Sequence, residues 1–378
     1  MKRLALFPIF LCAALGLWGF ISGTNTFQQE SLAAEPSASG PPAAPDEFAC
    51  LTGSFFQNSL HFTTQGMRYW YDAEDGFGKI TGMPYEQTGC ASCHVKNCDS
   101  CHADKAESGP MMFTVAKARD MNTCLPCHSR EKASMGIDEK AGTPDVHFAA
   151  GNQCADCHTA REVHGSGVLP NSMRDVGYME TSCTGCHAEG GKGPTYDMTT
   201  ASHTIHGDKL DCAACHVTNT MACYNCHFTK FMETGVKEGN FVPNKEWMLL
   251  INYNGKVTSG TVMTLVDKNK TFATFGPYFT HSIMKTGRKC ADCHANEAVT
   301  TMQDGKKVPL VKFQDGKLVF WKGMIPVVND KIELLFLDKD ADGNWIPLEG
   351  AEPPLIQYSC YGTPLTDEQL TMLAMPMG

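Results

Sequence analysis

The sequence predicts a mostly irregular chain with short α-helices, wrapped around a core that its own side chains are too few to fill, plus a small C-terminal β subdomain. Three observations predict this. The set Cys-x-x-Cys-His occurs eight times between residues 90 and 294. Glycine and polar residues punctuate the segments between the sets, which favours short helices and turns. Beyond residue 240 the texture changes to strand-like runs joined by Asn-Gly and Asp-Gly turns.

The chain has 378 residues, of which 42% are hydrophobic and 19% charged, a globular composition. That length accommodates two or three domains, or one with elaborations. The net charge of −10 argues against nucleic acid as a partner and favours basic docking surfaces. Lys2 and Arg3 precede an apolar run from Leu4 to Ile21, interrupted by Pro8. This reads as a signal peptide or an N-terminal anchor over residues 1–34, and either sends the rest of the chain to the periplasm or cell surface. Membrane contact is expected only through that segment. Residues 35–47, rich in Pro, Ala and Ser, read as a linker.

Residues 48–294 form the motif-bearing domain. It opens with an aromatic lead-in that contains His61. The sets begin at 90, 98, 124, 154, 183, 212, 223 and 290, and the spacings near 29 in the middle suggest a duplicated unit. The 90/98 and 212/223 sets form tight pairs. A β-hairpin insertion is expected over about 245–267, around Asn254-Gly255, the favoured pair for a type I′ turn. Residues 295–378 read as a β-rich subdomain, with turns at Asp315-Gly316 and Asp342-Gly343 and a short helix near Thr366–Leu373.

The repeated set carries the chemistry. Two residues between cysteines let one turn of chain present both thiols to the vinyl groups of a haem, and the adjacent His then sits beneath the iron. The thioether positions are Cys90 and Cys93, Cys98 and Cys101, Cys124 and Cys127, Cys154 and Cys157, Cys183 and Cys186, Cys212 and Cys215, Cys223 and Cys226, and Cys290 and Cys293. The proximal ligands are His94, His102, His128, His158, His187, His216, His227 and His294. Roughly 0.04 such sets are expected by chance in a chain of this composition. Zinc is the competing reading of paired cysteines, but zinc sites do not demand His directly after every second Cys.

Fourteen histidines less eight proximal ones leave His61, His147, His164, His203, His206 and His281 as candidate distal ligands. Gly165, after His164, would allow a haem plane to approach. Six distal histidines cannot cap eight irons, so at least two irons have Met, another ligand, water or nothing. Met121, Met179, Met221 and Met284 lie near sets, with packing against a porphyrin face as the plainer role. About 26 residues per haem are too few to bury each macrocycle separately, so the haems must pack on one another.

Two further features stand apart. Cys50 and Cys360 remain outside the sets and the signal, either bridged or unpaired. Asp338, Asp340, Asp342, Gly343 and Glu349 match a calcium-loop pattern, which makes calcium a candidate second cofactor, with a solvated β-turn as the alternative.

On its eight sets the chain resembles the multihaem, octahaem, c-type cytochromes of anaerobic respiring bacteria. The resemblance covers residues 90–294. Octahaem relatives include hydroxylamine oxidoreductase and octahaem nitrite and tetrathionate reductases. The latter two mark the catalytic haem with Lys in place of the motif His, and all eight sets here end in His. The former cross-links a Tyr to its active haem; Tyr178, Tyr196 and Tyr224 are available. The resemblance implies a closely packed haem row carrying electrons in anaerobic or extracellular respiration. The expected partners are other redox proteins, either cytochromes or a quinol-side donor, together with further copies of the chain. An enzyme acting on a small nitrogen or sulfur compound at a five-coordinate haem is the alternative.

Overall fold

The computed structural model describes residues 54–88, 94–105, 109–234, 242–244 and 246–375. The signal or anchor segment, the linker, Cys50, Cys90 and Cys93 lie outside the described residues.

From Ser54 to His216 the chain runs through helices mostly of four or five residues, the longest being Ser129–Lys140. Most are single turns held by caps. Ser59, Thr114, Asp120, Asp145, Thr159, Ser182 and Asp211 each accept a backbone N–H of the turn that follows. Single turns have no propagation to stabilise them, so tertiary contacts must hold them in place.

Seven strands build one sheet: β1 (Ala222–His227), β2 (Val242–Asn244), β3 (Trp247–Tyr253), β4 (Lys256–Asp267), β5 (Lys270–Pro277), β6 (Gly323–Pro326) and β7 (Leu355–Tyr358). The path runs β6-β3-β4-β1-β2, with β5 joining β4 to β7. Strands β3, β4 and β5 form an antiparallel meander. The β3–β4 turn places Asn254 at φ 48° and Gly255 at φ 75°, the two left-handed residues a type I′ turn requires. β3 is apolar without alternation because both its faces are covered. One face carries Trp247, Leu249, Ile251, Val262, Phe275, Ile325 and Leu365 in the main core. A second cluster gathers Tyr71, Phe77, Tyr85, Phe228, Leu265 and Phe272, and so pins the aromatic lead-in to the sheet.

The C-terminal strands do not form a subdomain of their own. β6 pairs in parallel with β3, and β7 in parallel with β5, so the sheet takes strands from both sides of residue 295. The reason is edge satisfaction: the meander leaves backbone donors and acceptors open, and the late strands close them. Outside this sheet, Val311–Gln314 and Lys317–Phe320 form a hairpin around Asp315-Gly316. The helix Asp367–Ala374 begins at a reciprocal Thr366/Gln369 cap.

Leu337–Lys339 and Trp345–Pro347 form a second hairpin, and its turn is the calcium-like segment. Asp340 accepts the N–H groups of Asp342 and Asn344 at 2.9 and 2.8 Å, and Asp338 accepts that of Lys339 at 2.7 Å. Among the described residues no three acidic, His or Cys side chains gather to hold a metal ion. The tip of the Asp338–Glu349 segment is a hairpin turn held by these backbone hydrogen bonds.

Tyr224 ties this region to the sheet. Its hydroxyl donates to Leu335 O at 2.7 Å and accepts from Leu335 N at 2.9 Å, wholly out of solvent. Replacing Tyr224 by Phe strands both backbone groups and should lower stability by about 1–3 kcal/mol in urea unfolding.

Candidate metal centres

Five of the eight sets lie in or along a helical turn, Asp99–His102, Cys154–Cys157, Cys183–His187, Cys212–His216 and Cys290–Cys293, and the Cys124 set continues as a turn from the helix Met121–Cys124. One turn brings cysteines three residues apart to the same face. The N–H of His102, His128, His158 and His294 closes each turn by donating to the O of the first cysteine, at 2.9, 3.0, 2.9 and 2.8 Å.

Each of the six spare histidines lies across from one motif histidine. The ring centroids are 6.1 Å apart for His61 and His128, 6.0 Å for His164 and His102, and 6.0 Å for His147 and His187. They are 6.1 Å apart for His281 and His158, 6.3 Å for His203 and His216, and 6.2 Å for His206 and His294. A metal–nitrogen bond of about 2 Å on each side, plus roughly 1 Å from each nitrogen to its ring centre, separates two axial imidazoles by about 6 Å. The interplanar angles range from 19° to 63°; rotation about a nitrogen–metal–nitrogen axis leaves that angle free.

The other ring nitrogen is engaged in most of these residues. Nδ1 of His61, His102, His187, His203, His206 and His216 faces the backbone oxygens of Val163, Thr114, Pro194, Asp197, Ser202 and Met284, at 3.1, 3.3, 2.8, 2.7, 2.9 and 3.1 Å. A carbonyl can only accept, so Nδ1 carries the proton and Nε2 is left with the lone pair a metal needs. Three histidines face carboxylates instead. His158 faces Glu162 at 2.8 Å, His281 faces Glu131 at 2.9 Å and His147 faces Asp145 at 3.3 Å.

Tertiary staples hold the spare histidines. Asp145 accepts the N–H of His147 at 2.8 Å and that of Ile283 at 2.8 Å, so it caps the turn that carries His147 and anchors the segment that follows His281. Val146 N donates to Ile283 O, Thr218 N to Ser282 O and Met284 N to His216 O, fastening the 281–284 segment between two motif regions. Burial opposes the charge on Glu131, but His281, Tyr278 and Arg130 outweigh it and bring the carboxyl down to about 2.

The sulfurs show how the sets neighbour one another. Burial raises the Cys101 thiol, reinforced by Cys124 and Cys127. Cys124 donates its thiol proton to Cys154, which lowers Cys154 to about 7. Cys157 lies near Cys186. Cys183 donates to Cys212, which also falls to about 7, and Cys215 lies near Cys290. The six sets thus adjoin in sequence order.

The residues fit haem at these six places. Between His158 and His281 opens a cleft lined by Cys154 and Cys157, with Phe148 and Ile283 on its wall. Each pair supplies two ligands, which suits a metal whose other four come from a macrocycle; among the described residues no cluster of three or more metal-ligating side chains suits a bare ion.

The Cys223 set is different. It lies in β1, where a bulge with Asn225 at φ 63° keeps Cys223 and Cys226 on one face. Both cysteines are buried, at 1% and 8% exposure, and His227 Nε2 donates to Leu337 O at 2.7 Å. In this arrangement the set does not fit haem, and no chemistry is derived through it. For the Cys90 set only His94 is among the described residues.

Other residues singled out in the sequence have defined surroundings. Gly165, at φ 85°, lies against Ser59, whose atoms a Cβ would meet at 3.1 Å, so its smallness admits the lead-in helix. Met221 is buried and gives its carbonyl to Arg130 and Thr261, and Met284 offers His216 its carbonyl. Tyr178 donates to Glu162 O at 3.0 Å, and the Tyr196 ring packs edge-on to His203.

Sequence comparison finds one kind of likeness. Over 131 residues, 30% of this chain, it is 28% identical to a multiheme cytochrome, MtrA, of Shewanella baltica (strain OS185). The match spans 36% of that relative's length. No family profile and no solved structure matches the chain.

Asp145→Ala removes a cap and a long-range anchor at once. It should cost about 2 kcal/mol of stability, read as a lower urea midpoint with unchanged slope.

Proposed function

We propose that this chain is an exported c-type cytochrome that carries electrons along a row of covalently bound haems. The observation that supports this most directly is the set of six histidine pairs, each joining one motif histidine to one spare histidine at the separation two axial ligands need. In this reading the cysteines of the six sets hold the porphyrin edges. His102, His128, His158, His187, His216 and His294 are the proximal ligands, and His164, His61, His281, His147, His203 and His206 the respective distal ones. Haem supplies an iron that cycles between ferric and ferrous states one electron at a time.

The polypeptide sets order and spacing. Cys124 neighbours Cys154, and Cys183 neighbours Cys212, within hydrogen-bond reach, so the attachment edges of these successive sets lie close together. The likeness to a multiheme cytochrome supports the same class. Paired axial histidines favour electron transfer, because a six-coordinate iron has no position for substrate. The expected setting is the periplasm or cell surface, with other redox proteins as partners.

Two sets receive no spare histidine in this scheme, those ending in His94 and His227. The one ending in His94 is where a substrate-binding iron would lie if the chain were instead a reductase of nitrogen or sulfur compounds.

Intact mass of the denatured holoprotein should show at least six covalent haems and no more than the eight that the motif count allows. Electron paramagnetic resonance should show low-spin ferric signals indifferent to nitrite and sulfite. His203→Ala should convert one haem to high spin while leaving the haem mass unchanged. Fewer than six haems, or only high-spin iron, would overturn the reading.

A further inference from the structure

The six histidine pairs differ in what supports them. In three pairs, His61 with His128, His164 with His102 and His203 with His216, the Nδ1 acceptors given above are neutral carbonyls, as is that of His206 in the pair with His294. His147 has a carboxylate, but at 3.3 Å, and its partner His187 faces a carbonyl. In the pair of His158 and His281 both rings face a carboxylate, at 2.8 and 2.9 Å.

These two carboxylates are built into the protein. The Glu162 side chain is 3% exposed. It accepts the N–H groups of Glu180 and Thr181, each at 2.5 Å, and the Thr181 hydroxyl at 2.9 Å, besides His158. The two backbone N–H groups can only donate, and both converge on Glu162 Oε1, an arrangement that favours the carboxylate anion. Glu131 accepts from the Tyr278 hydroxyl as well as from His281, and the Arg130 guanidinium stacks on Tyr278 at 4.0 Å. Neither residue belongs to a Cys-x-x-Cys-His set.

We propose that Glu131 and Glu162 are positioning residues that give the site between His158 and His281 the lowest reduction potential of the six paired sites. The inference rests on the reading of the histidine pairs as haem ligands. An anionic acceptor draws the Nδ1 proton and pushes electron density through the ring to Nε2. A more basic axial ligand stabilises ferric over ferrous iron, and support from both sides adds. Reduction brings one electron to this iron and moves no atom; the Nδ1 protons stay between imidazole and carboxylate. The Cys154 set is third of six in spatial order. Among the six paired sites this one is therefore the last to fill, and the other five hold electrons before it.

The test uses full-length holoprotein, titrated potentiometrically with dithionite and ferricyanide and followed by absorbance and by electron paramagnetic resonance. In Glu131→Gln and in Glu162→Gln the last-reduced fraction of the low-spin signals, about one haem, should move to higher potential, and further in the double variant. Tyr278→Phe keeps the ring that Arg130 stacks on and removes a competing donor from Glu131. It should move the same fraction lower, a change of opposite sign that loss of folding would not produce. The low-spin signal of this site should change its g values most in each variant, with the site of the neighbouring His128 responding less to loss of Glu131. An unmoved last-reduced fraction in all of these proteins, with haem mass and low-spin signals intact, would overturn the inference. Absence of covalent haem or of low-spin iron in the wild type would instead overturn the reading beneath it.

Discussion

The arrangement depends on one constraint: twelve imidazoles must be held in facing pairs while each keeps its Nε2 unoccupied. Where the structure shows the partner, the chain meets this by tying Nδ1 to an acceptor fixed elsewhere in the fold. That tie does two things. It sets the tautomer, and it fixes the rotation of a ring that would otherwise swing about two bonds. Most of the acceptors come from the short turns between sets. The irregular chain is therefore a scaffold of carbonyls, and its lack of long helices follows from the need to place so many acceptors.

The sheet provides the stiffness that single-turn helices cannot. Its meander is buried on both faces, with Trp247, Leu249 and Ile251 nearly free of solvent. The segment carrying His281 leaves β5 directly and is stapled to residues 145–146 and 216–218. Core packing of about 25 cal/mol per Å² of apolar surface stabilises this end of the molecule. The motif region has far fewer buried apolar side chains and leans on hydrogen bonds and caps. The division of labour is clear in Arg130 and Glu131, adjacent in one helix. Arg130 reaches the sheet at Met221 and Thr261, and Glu131 reaches His281.

Much of the local structure was legible. The Asn254-Gly255 and Asp315-Gly316 turns follow from residues that tolerate positive φ. The terminal helix follows from Thr366 and the pattern after it. The joining of 323–326 and 355–358 to the central sheet was not legible, because parallel pairing across long connections leaves no local pattern. The Asp338–Glu349 segment shows the opposite failure. A ligand-like spacing is satisfied by backbone hydrogen bonds within a hairpin turn, and spacing alone does not distinguish the two.

By itself the sequence determined the chemistry on offer: eight paired-cysteine sets, a histidine after each, and six histidines to spare. Covalent attachment is encoded over five residues, so a local pattern suffices to state it. Only the tertiary structure decided which histidine faces which, because the partners lie as far apart in sequence as His281 and His158 and no periodicity links them. It also decided that Glu131 and Glu162 serve one pair and carbonyls serve most others. Those differences depend on side-chain direction at about 3 Å, which chain folding sets and residue order does not reveal.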